Sequence, residues 1–376
     1  MSETTRENTG KKLKSLTYAD AGVSRKLRKK SKSHLDVLRA THKESYYGQI
    51  IKLPYGNLIP CDYTGKIYMD HKIEGIGTKV LVAQLAGRHK TMPMEGLMMA
   101  ENDVVRSGAR PHSAADNVDA AKSDPKFVGQ LMRGFAEAGR VGKVPIVDGE
   151  IADVPALIKG IREGSGYHIV CSCVGFVNNE DIIRGTHLKA GDVILGLRSS
   201  GVHSNGISLV RKVLFKEWGG YYDDPFATVK GLNRDLISEV LLPTVSYAGA
   251  VLRVNDNLTV KAAVHITGDS YTKFDKLLEV NEGIGFEFSK LRPQRIFSVI
   301  QQTATKLGRV ITDDEMLRTF NMGTGFAIVV DKEDAATALE ILKQSGMEAW
   351  KVGKVTSNAG AITVDYKGRN IPLIRK

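Results

Sequence analysis

Short apolar runs alternate with amphipathic stretches along most of the chain, and this alternation sets the fold class before any motif is considered. The order Lys66-Ile67-Tyr68-Met69-Asp70-His71-Lys72-Ile73 predicts a strand. Residues 93–108 predict a helix carrying Met94, Leu97, Met98, Val104 and Val105, and residues 127–139 a second, amphipathic one stopped by Gly139. A short apolar strand at 144–147 is expected to deliver Asp148-Gly149-Glu150 at its end, and a longer strand at 167–177 closes the first half. The second half repeats the scheme with strands at 192–197, 260–266 and 326–330 and helices at 207–218, 232–254 and 333–344. The result is an α/β (α+β) chain of mixed sheets covered by helices, its second half a split α/β sandwich. Around 178–189 the texture turns polar, which divides the chain into a basic disordered tail (1–16), a domain at 17–178 and a domain at 179–376.

A length of 376 residues suits two domains of roughly 150–200 residues. No apolar run approaches the ~18 residues of a membrane span, and the first ten residues lack the apolar segment of a secretory signal. Cys171 and Cys173 lie two apart on one face of an apolar strand, with no metal-ligand spacing around them. They read as reduced core thiols, which suits a cytoplasmic protein.

Charge adds one feature. The formal net charge is +11, with a pI near 9.3. Nine basic residues fall between Lys11 and Lys32, where Tyr18 is the single aromatic. A nucleic-acid platform would interleave aromatics with the charges, so a non-enzymatic nucleic-acid-binding protein is the weaker alternative. The basic stretch, a helix candidate over 24–43 with Leu27, Leu35 and Leu38 as its apolar stripe, is either a solvated arm or one that folds over a phosphate-rich site.

Several polar clusters sit where strands hand over to helices. Glu74-Gly75-Ile76-Gly77-Thr78-Lys79 follows the first strand; Gly75 and Gly77 let the backbone approach an anion, while Thr78 and Lys79 add a hydroxyl and an ammonium. Glu74, Asp103 and Glu150 are carboxylates placed to suit Mg²⁺ together with phosphate oxygens. In the second half, Ser200, Gly201, Ser204, Asn205 and Gly206 surround His203 and run straight into a helix, a pattern that suits phosphate or substrate binding at a helix start. His203 and His265, each in a polar loop, are candidates to move a proton near neutral pH. There is no Walker loop, no Gly-x-Ser-x-Gly elbow and no His-x-x-x-His zinc pattern.

Taken in order, Tyr18-Ala19-Asp20-Ala21-Gly22-Val23, Glu74 to Lys79, Asn102-Asp103, Gly149-Glu150, Ser199 to Gly206, His265-Ile266-Thr267-Gly268 and Arg318 to Gly325 resemble the motif set of phosphoribosylformylglycinamidine cyclo-ligases, archaeal ones above all, over residues 17 to about 355. The resemblance implies two α/β domains whose N-terminal halves pair in a homodimer, with ATP in a cleft at that interface. It implies ATP and Mg²⁺ as cofactors, a phosphorylated small-molecule substrate, and no membrane or nucleic-acid partner. The implied reaction is ATP-dependent closure of formylglycinamidine ribonucleotide to aminoimidazole ribonucleotide, with release of ADP and phosphate, in purine synthesis. Carried onto this chain, the motifs assign Gly75, Gly77, Thr78, Lys79, Asn102, Asp103, Gly149 and Glu150 to the nucleotide. Thr267 and Gly268 join the second-half loop at the substrate.

The chain departs from the family pattern at Glu74, where Asp is usual, across Tyr46 to Pro60, at Asp148 to Ala156, and at Gly268-Asp269-Ser270 in place of three glycines. Selenophosphate synthetase, the hydrogenase-maturation dehydratase and thiamine monophosphate kinase share the superfamily. The first would want a reactive early thiol and the second a C-terminal Cys; here the early thiol is Cys61 and the chain ends Ile-Pro-Leu-Ile-Arg-Lys.

Overall fold

The computed structural model describes residues 13–373. The first half lays down β1 (Lys14–Ser15), α1 (Arg25–Lys32), β2 (Ile51–Leu53), β3 (Gly56–Pro60), β4 (Ile67–Gly75), α2 (Lys79–Ala86), α3 (Met92–Val105), β5 (Arg110–Ala120), α4 (Pro125–Gly142), β6 (Ile146–Asp153) and β7 (Tyr167–Asn178). The second half continues with β8 (Val193–Arg198), α5 (Ile207–Leu214), α6 (Leu236–Val240), α7 (Ala248–Asn255), β9 (Ala262–His265), α8 (Asp275–Leu278), β10 (Gly285–Phe288) and α9 (Arg295–Lys306). It closes with β11 (Arg309–Val310), α10 (Asp313–Thr319), β12 (Thr324–Val330), α11 (Ala335–Gln344), β13 (Ala349–Thr356), β14 (Ile362–Tyr366) and β15 (Arg369–Pro372).

Two sheets organise these elements. The six-stranded sheet runs β2-β3-β4-β7-β5-β6 and the seven-stranded sheet β15-β14-β10-β13-β8-β12-β9. Strand β7 alternates buried and half-buried residues along its whole length, so one face meets a core and the other does not. Cys171 and Cys173 are free thiols on its buried face, and burial pushes both above the usual thiol range. Strand β8 is buried on both faces: Val193, Leu195 and Leu197 pack with α7 and α11, while Ile194 joins the core shared with α5 and α9. A sheet between two helix layers is the α/β sandwich expected of the second half.

Helix α3 joins the two halves, and all fourteen of its residues are buried. It packs on β4, β5 and β7 from one side and meets α7 and β9 from the other. A helix buried on every side needs partners for its polar groups, here Glu95, Glu101, Asn102 and Asp103.

The structure moves several predicted elements. Residues 1–12 of the basic tail lie outside the described residues, but Lys14–Ser15 pairs in parallel with Arg309–Val310 instead of being disordered. The 24–43 helix is α-helical only over Arg25–Lys32, none of it buried, and continues as a 3-10 segment over Ser33–Glu44; with no apolar face against a core, nothing holds the α form. The helix expected over 207–218 stops at Leu214 and is followed by a 3-10 turn at Lys216–Trp218. The predicted 144–147 strand is β6, so Asp148-Gly149-Glu150 lies within a strand and not at its end. The long 232–254 helix is two helices, α6 and α7. Between them Pro243 has no N–H to give, the Leu242 carbonyl accepts the Lys79 ammonium at 2.7 Å and the Thr244 N–H donates to Glu95 at 3.1 Å.

Candidate active site

Helices α2 and α5 begin side by side. Gly77 (φ +70°) and Thr78 lead into α2; Gly206 (φ +71°), whose missing Cβ leaves room for the Phe320 ring, leads into α5. Thr78 Oγ1 lies 3.2 Å from Ser208 Oγ, so the two N-termini converge. Two positive helix ends disfavour each other by a few tenths to ~1 kcal/mol, and an anion between them reverses the sign. Asn205 is buried beside them with its Nδ2 unpartnered, and Gly268 lies between it and Arg28 within van der Waals reach of both. The N-terminal arm closes over this corner. Thr17 and Asp20 cap its turn, Tyr18 N donates to Glu315 at 2.9 Å, and Arg25 reaches Glu315 at 3.0 Å and Thr319 at 2.5 Å.

Lys79 does not face this opening. It is fully buried, with its ammonium 2.5 Å from Glu95 Oε1, and Glu95 Oε2 accepts Ser204 Oγ at 2.5 Å and Thr244 Oγ1 at 2.7 Å. Burial pulls the Lys79 ammonium down while Glu95 holds it up. Lys79 and Ser204 therefore tie α2, α3 and two second-half loops together, and neither is free for a phosphate. Asn102 is committed likewise: its Nδ2 donates to Val245 O at 2.8 Å and its Oδ1 accepts Tyr247 N–H at 2.8 Å. Ser200 spends its hydroxyl on Pro243 O at 2.5 Å, and the Gly201 carbonyl accepts Asn321 Nδ2 at 2.8 Å.

The two histidines differ in which nitrogen is available. The Ser200 N–H donates to His203 Nε2 at 3.2 Å, which puts the His203 proton on Nδ1, a buried and unpartnered donor. His265 Nδ1 lies 2.8 Å from Asp103 Oδ1, so it carries the proton and Nε2 is the unpartnered acceptor. Burial pushes His203 well below its ordinary value and His265 down to about 4, against the pull of Asp103; both are neutral at pH 7. Both rings neighbour Tyr247, at 6.4 and 6.5 Å between centroids. Gly325, at a bulge in β12, makes this possible: a Cβ there would overlap the Tyr247 hydroxyl and lie 2.7 Å from His203 Cε1.

Beside Asp103 stands Glu74, which burial, followed by the Asp103 charge, pushes up to about 7. Arg106 sits 2.5 Å from Asp103 Oδ2. Lys273 donates to the His265 carbonyl at 3.1 Å and to Thr267 Oγ1. Burial raises Asp103, but Arg106, His265 and Lys273 together hold it well below the usual carboxylate range. Burial brings Lys273 down to about 8 despite Asp103.

Mg²⁺ takes six oxygens near ~2.1 Å, and this donor set does not offer them. Both Asp103 oxygens are engaged, one by a guanidinium and one by an imidazole N–H. A divalent ion ~4 Å from either resident cation would be repelled by roughly 8 kcal/mol at an effective dielectric of ~20. Glu150 does not join: the row Gly75↔Val170↔Asn117↔Glu150 puts it three strands from the Glu74 turn, ~14 Å, on exposed β6 with Gly149. Among the described residues no group of three His, Cys, Asp or Glu could hold a metal. As arranged, Glu74, Asp103 and Glu150 do not fit one protein-held divalent ion.

The family profile described as AIR synthase related protein, N-terminal domain, matches residues 62–177, and its C-terminal counterpart matches residues 189–365. The phosphoribosylformylglycinamidine cyclo-ligase of Methanocaldococcus jannaschii is 32% identical over 373 residues, covering 95% of this chain and 99% of its own. That of Methanosarcina acetivorans is 34% identical over 336 residues, covering 87% and 92%. The chain belongs to the phosphoribosylformylglycinamidine cyclo-ligase family. Among solved structures, Thermotoga maritima PurL complexed with ATP aligns with a TM-score of 0.56 at 17% identity over 88% of this chain, which spans 46% of PurL's length. The hydrogenase maturation protein HypE in complex with ATP aligns with a TM-score of 0.57 at 17% identity over 85% of this chain and 87% of HypE. At such identities these two share the fold.

Four residues of this cyclo-ligase family member escaped the sequence reading, Glu95, Arg106, Tyr247 and Lys273, while Asn321 lies in the Arg318 to Gly325 motif, where it had no role of its own. Asn321 staples two loops, accepting Ser199 Oγ at 3.0 Å and Gly323 N–H at 2.9 Å while donating to Gly201. Glu95 carried a usable signal, since it is the one polar residue in the first nine positions of an apolar helix and lies seven before Asn102, on the same face. Tyr247 carried none, because its partner Asn102 lies 145 residues away; Arg106, three residues after Asp103 on the same helical turn, and Lys273, six after Thr267, had local partners that the sequence reading passed over.

Proposed function

We propose that this chain catalyses ATP-dependent ring closure of formylglycinamidine ribonucleotide to aminoimidazole ribonucleotide, releasing ADP and phosphate. The observation that carries the reading is the 32% identity to a cyclo-ligase over 95% of the chain. ATP donates its γ-phosphoryl group to the formyl oxygen; the ribosyl-bearing nitrogen then attacks the formyl carbon, phosphate leaves and the nitrogen loses a proton. The converging starts of α2 and α5, with Gly75, Gly77 and Thr78 on one side and Asn205, Gly206 and Gly268 on the other, supply N–H groups for the anionic reactants. Arg28, on the arm, adds charge at the substrate side. His265 Nε2 is the proton acceptor, oriented through Nδ1 by Asp103, and His203 Nδ1 donates a hydrogen bond to the developing phosphate anion.

The enzyme is further proposed to be a cytoplasmic homodimer. The face of the six-stranded sheet away from α3 presents Ile67, Ile73 and half-buried Val170, Val174 and Phe176. A second copy covering it is the arrangement in which Gly149 and Glu150 on β6 could meet the partner's nucleotide.

The test is to incubate the purified protein with formylglycinamidine ribonucleotide, ATP and Mg²⁺ and to measure aminoimidazole ribonucleotide and ADP. One ADP per product is expected, with His265→Ala reducing turnover at least ~100-fold and His203→Ala less, both melting near the parent temperature. Turnover of a different phosphoryl acceptor, with none of this product, overturns the reading.

A further inference from the structure

The carboxylates at the junction of the two halves carry their own positive charges. Arg106 comes from the turn after α3 and Lys273 from the 3-10 segment Ser270–Phe274, so each half contributes one cation. Both are held in place. The Arg106 guanidinium is buried, bonds Asp103 Oδ2 at 2.5 Å and the Asp103 carbonyl at 3.3 Å, and stacks over Tyr55 at 5.2 Å. Lys273 is fixed by His265 O and Thr267 Oγ1, and an ammonium has a third proton to give. The backbone around Lys273 is constrained too, with Asp269 at φ +70° and Ser270 at φ +46°.

We propose that Arg106 and Lys273 form a resident cation pair that stands in place of a protein-bound divalent ion between Asp103 and the polyphosphate of a nucleoside triphosphate. The inference rests on the nucleotide reading above for its ligand, but its central claim, that Asp103 is closed to metal, does not. A fixed guanidinium and ammonium meet phosphate oxygens through N–H groups already aimed and charged, and the carboxylate that would otherwise capture a metal orients them instead. Any Mg²⁺ that enters then rides on the nucleotide alone. A purely structural pair would need one partner for Asp103; here three donors from both halves converge on or beside it.

Two titrations on the full-length protein decide it. In the first, free Mn²⁺ is followed by electron paramagnetic resonance without nucleotide. The parent protein is expected to leave Mn²⁺ free up to ~1 mM. Lys273→Met should gain one site at least ~10-fold tighter, which a second substitution, Asp103→Asn, removes, while Lys273→Arg should behave as the parent. Stoichiometric Mn²⁺ binding by the parent that Asp103→Asn abolishes overturns the proposal, whether or not the Lys273 variants fold. In the second, ATP is titrated calorimetrically in EDTA and in Mg²⁺. Parent affinities within ~3-fold of each other are expected, with Lys273→Met at least ~10-fold weaker in EDTA. A loss of ~100-fold or more for the parent in EDTA overturns it. Absence of ATP binding in both buffers, with Mn²⁺ still excluded, sinks the nucleotide reading while leaving the closed carboxylate standing.

Discussion

Glu101 shows how one buried carboxyl writes a pH dependence into the fold. It is fully buried in α3, accepts Ser246 Oγ at 3.1 Å and has Oε2 unpartnered, and burial pushes it up to about 8 from an ordinary 4.5. Between those values the unfolded chain gives up the proton while the folded chain keeps it, so stability falls as pH rises through that window. Glu101→Gln removes the titration. Its melting temperature should match the parent near pH 4.5 and exceed it by several degrees at pH 8, at roughly 2–4 °C per kcal/mol for a chain of this size class. Equal melting temperatures at both pH values would show that Glu101 is solvated in solution. At the same scale, His203 and His265 are distinguished by their bonds: a backbone N–H on one and a carboxylate on the other decide which nitrogen is open.

At the scale of elements, α3 and the broken helix between 232 and 254 explain each other. Glu95 needs donors, and the Lys79 ammonium, Ser204 and the Thr244 backbone and hydroxyl supply them only if the chain leaves helical geometry around Pro243. Both partners of the Lys79–Glu95 pair are fully buried. Removing one carboxylate strands a buried ammonium at a cost of ~3–5 kcal/mol, so Glu95→Ala should lower the melting temperature by about 10 °C or more in scanning calorimetry. A change under ~2 °C would mean that water reaches Lys79. This is also where the sequence stopped being readable. The alternation of β7 and the polar loop 199–206 are local patterns, set by chain neighbours, and both were legible. The fate of Lys79, Asn102 and Ser204 was not: a Lys after Gly-x-Gly-Thr looks the same whether it meets a phosphate or a carboxylate 16 residues on. A long apolar stretch likewise hides a break whose cause lies in the other half of the chain.

For the whole molecule, the proposed dimer turns on the uncovered face of the six-stranded sheet. Ile73 is 69% exposed on β4 and Val147 67% exposed on β6, in a sheet whose opposite face is packed on α3. Exposed apolar side chains on such a face are what the proposed partner copy would cover. Ile73→Asp should shift the protein from dimer to monomer by light scattering after gel filtration while leaving its thermal transition in place. A parent that elutes as a monomer at micromolar concentration removes the dimer from the reading.

Helix α3 has a consequence for the time at which the protein becomes whole. Asn102 receives the N–H of Tyr247, 145 residues further along. At ~5–20 residues per second on the ribosome, that interval is about 7–29 s. Once Asn178 is made, about half-way through it, the six-stranded sheet is complete in sequence, while the side of α3 destined for α7 and β9 has nothing to cover it. The N-terminal half is therefore not an independent early product of translation but an open one, and any delay in making residues 179–255 prolongs the exposure of an apolar helix whose polar groups, Glu95, Glu101 and Asn102, still await their partners.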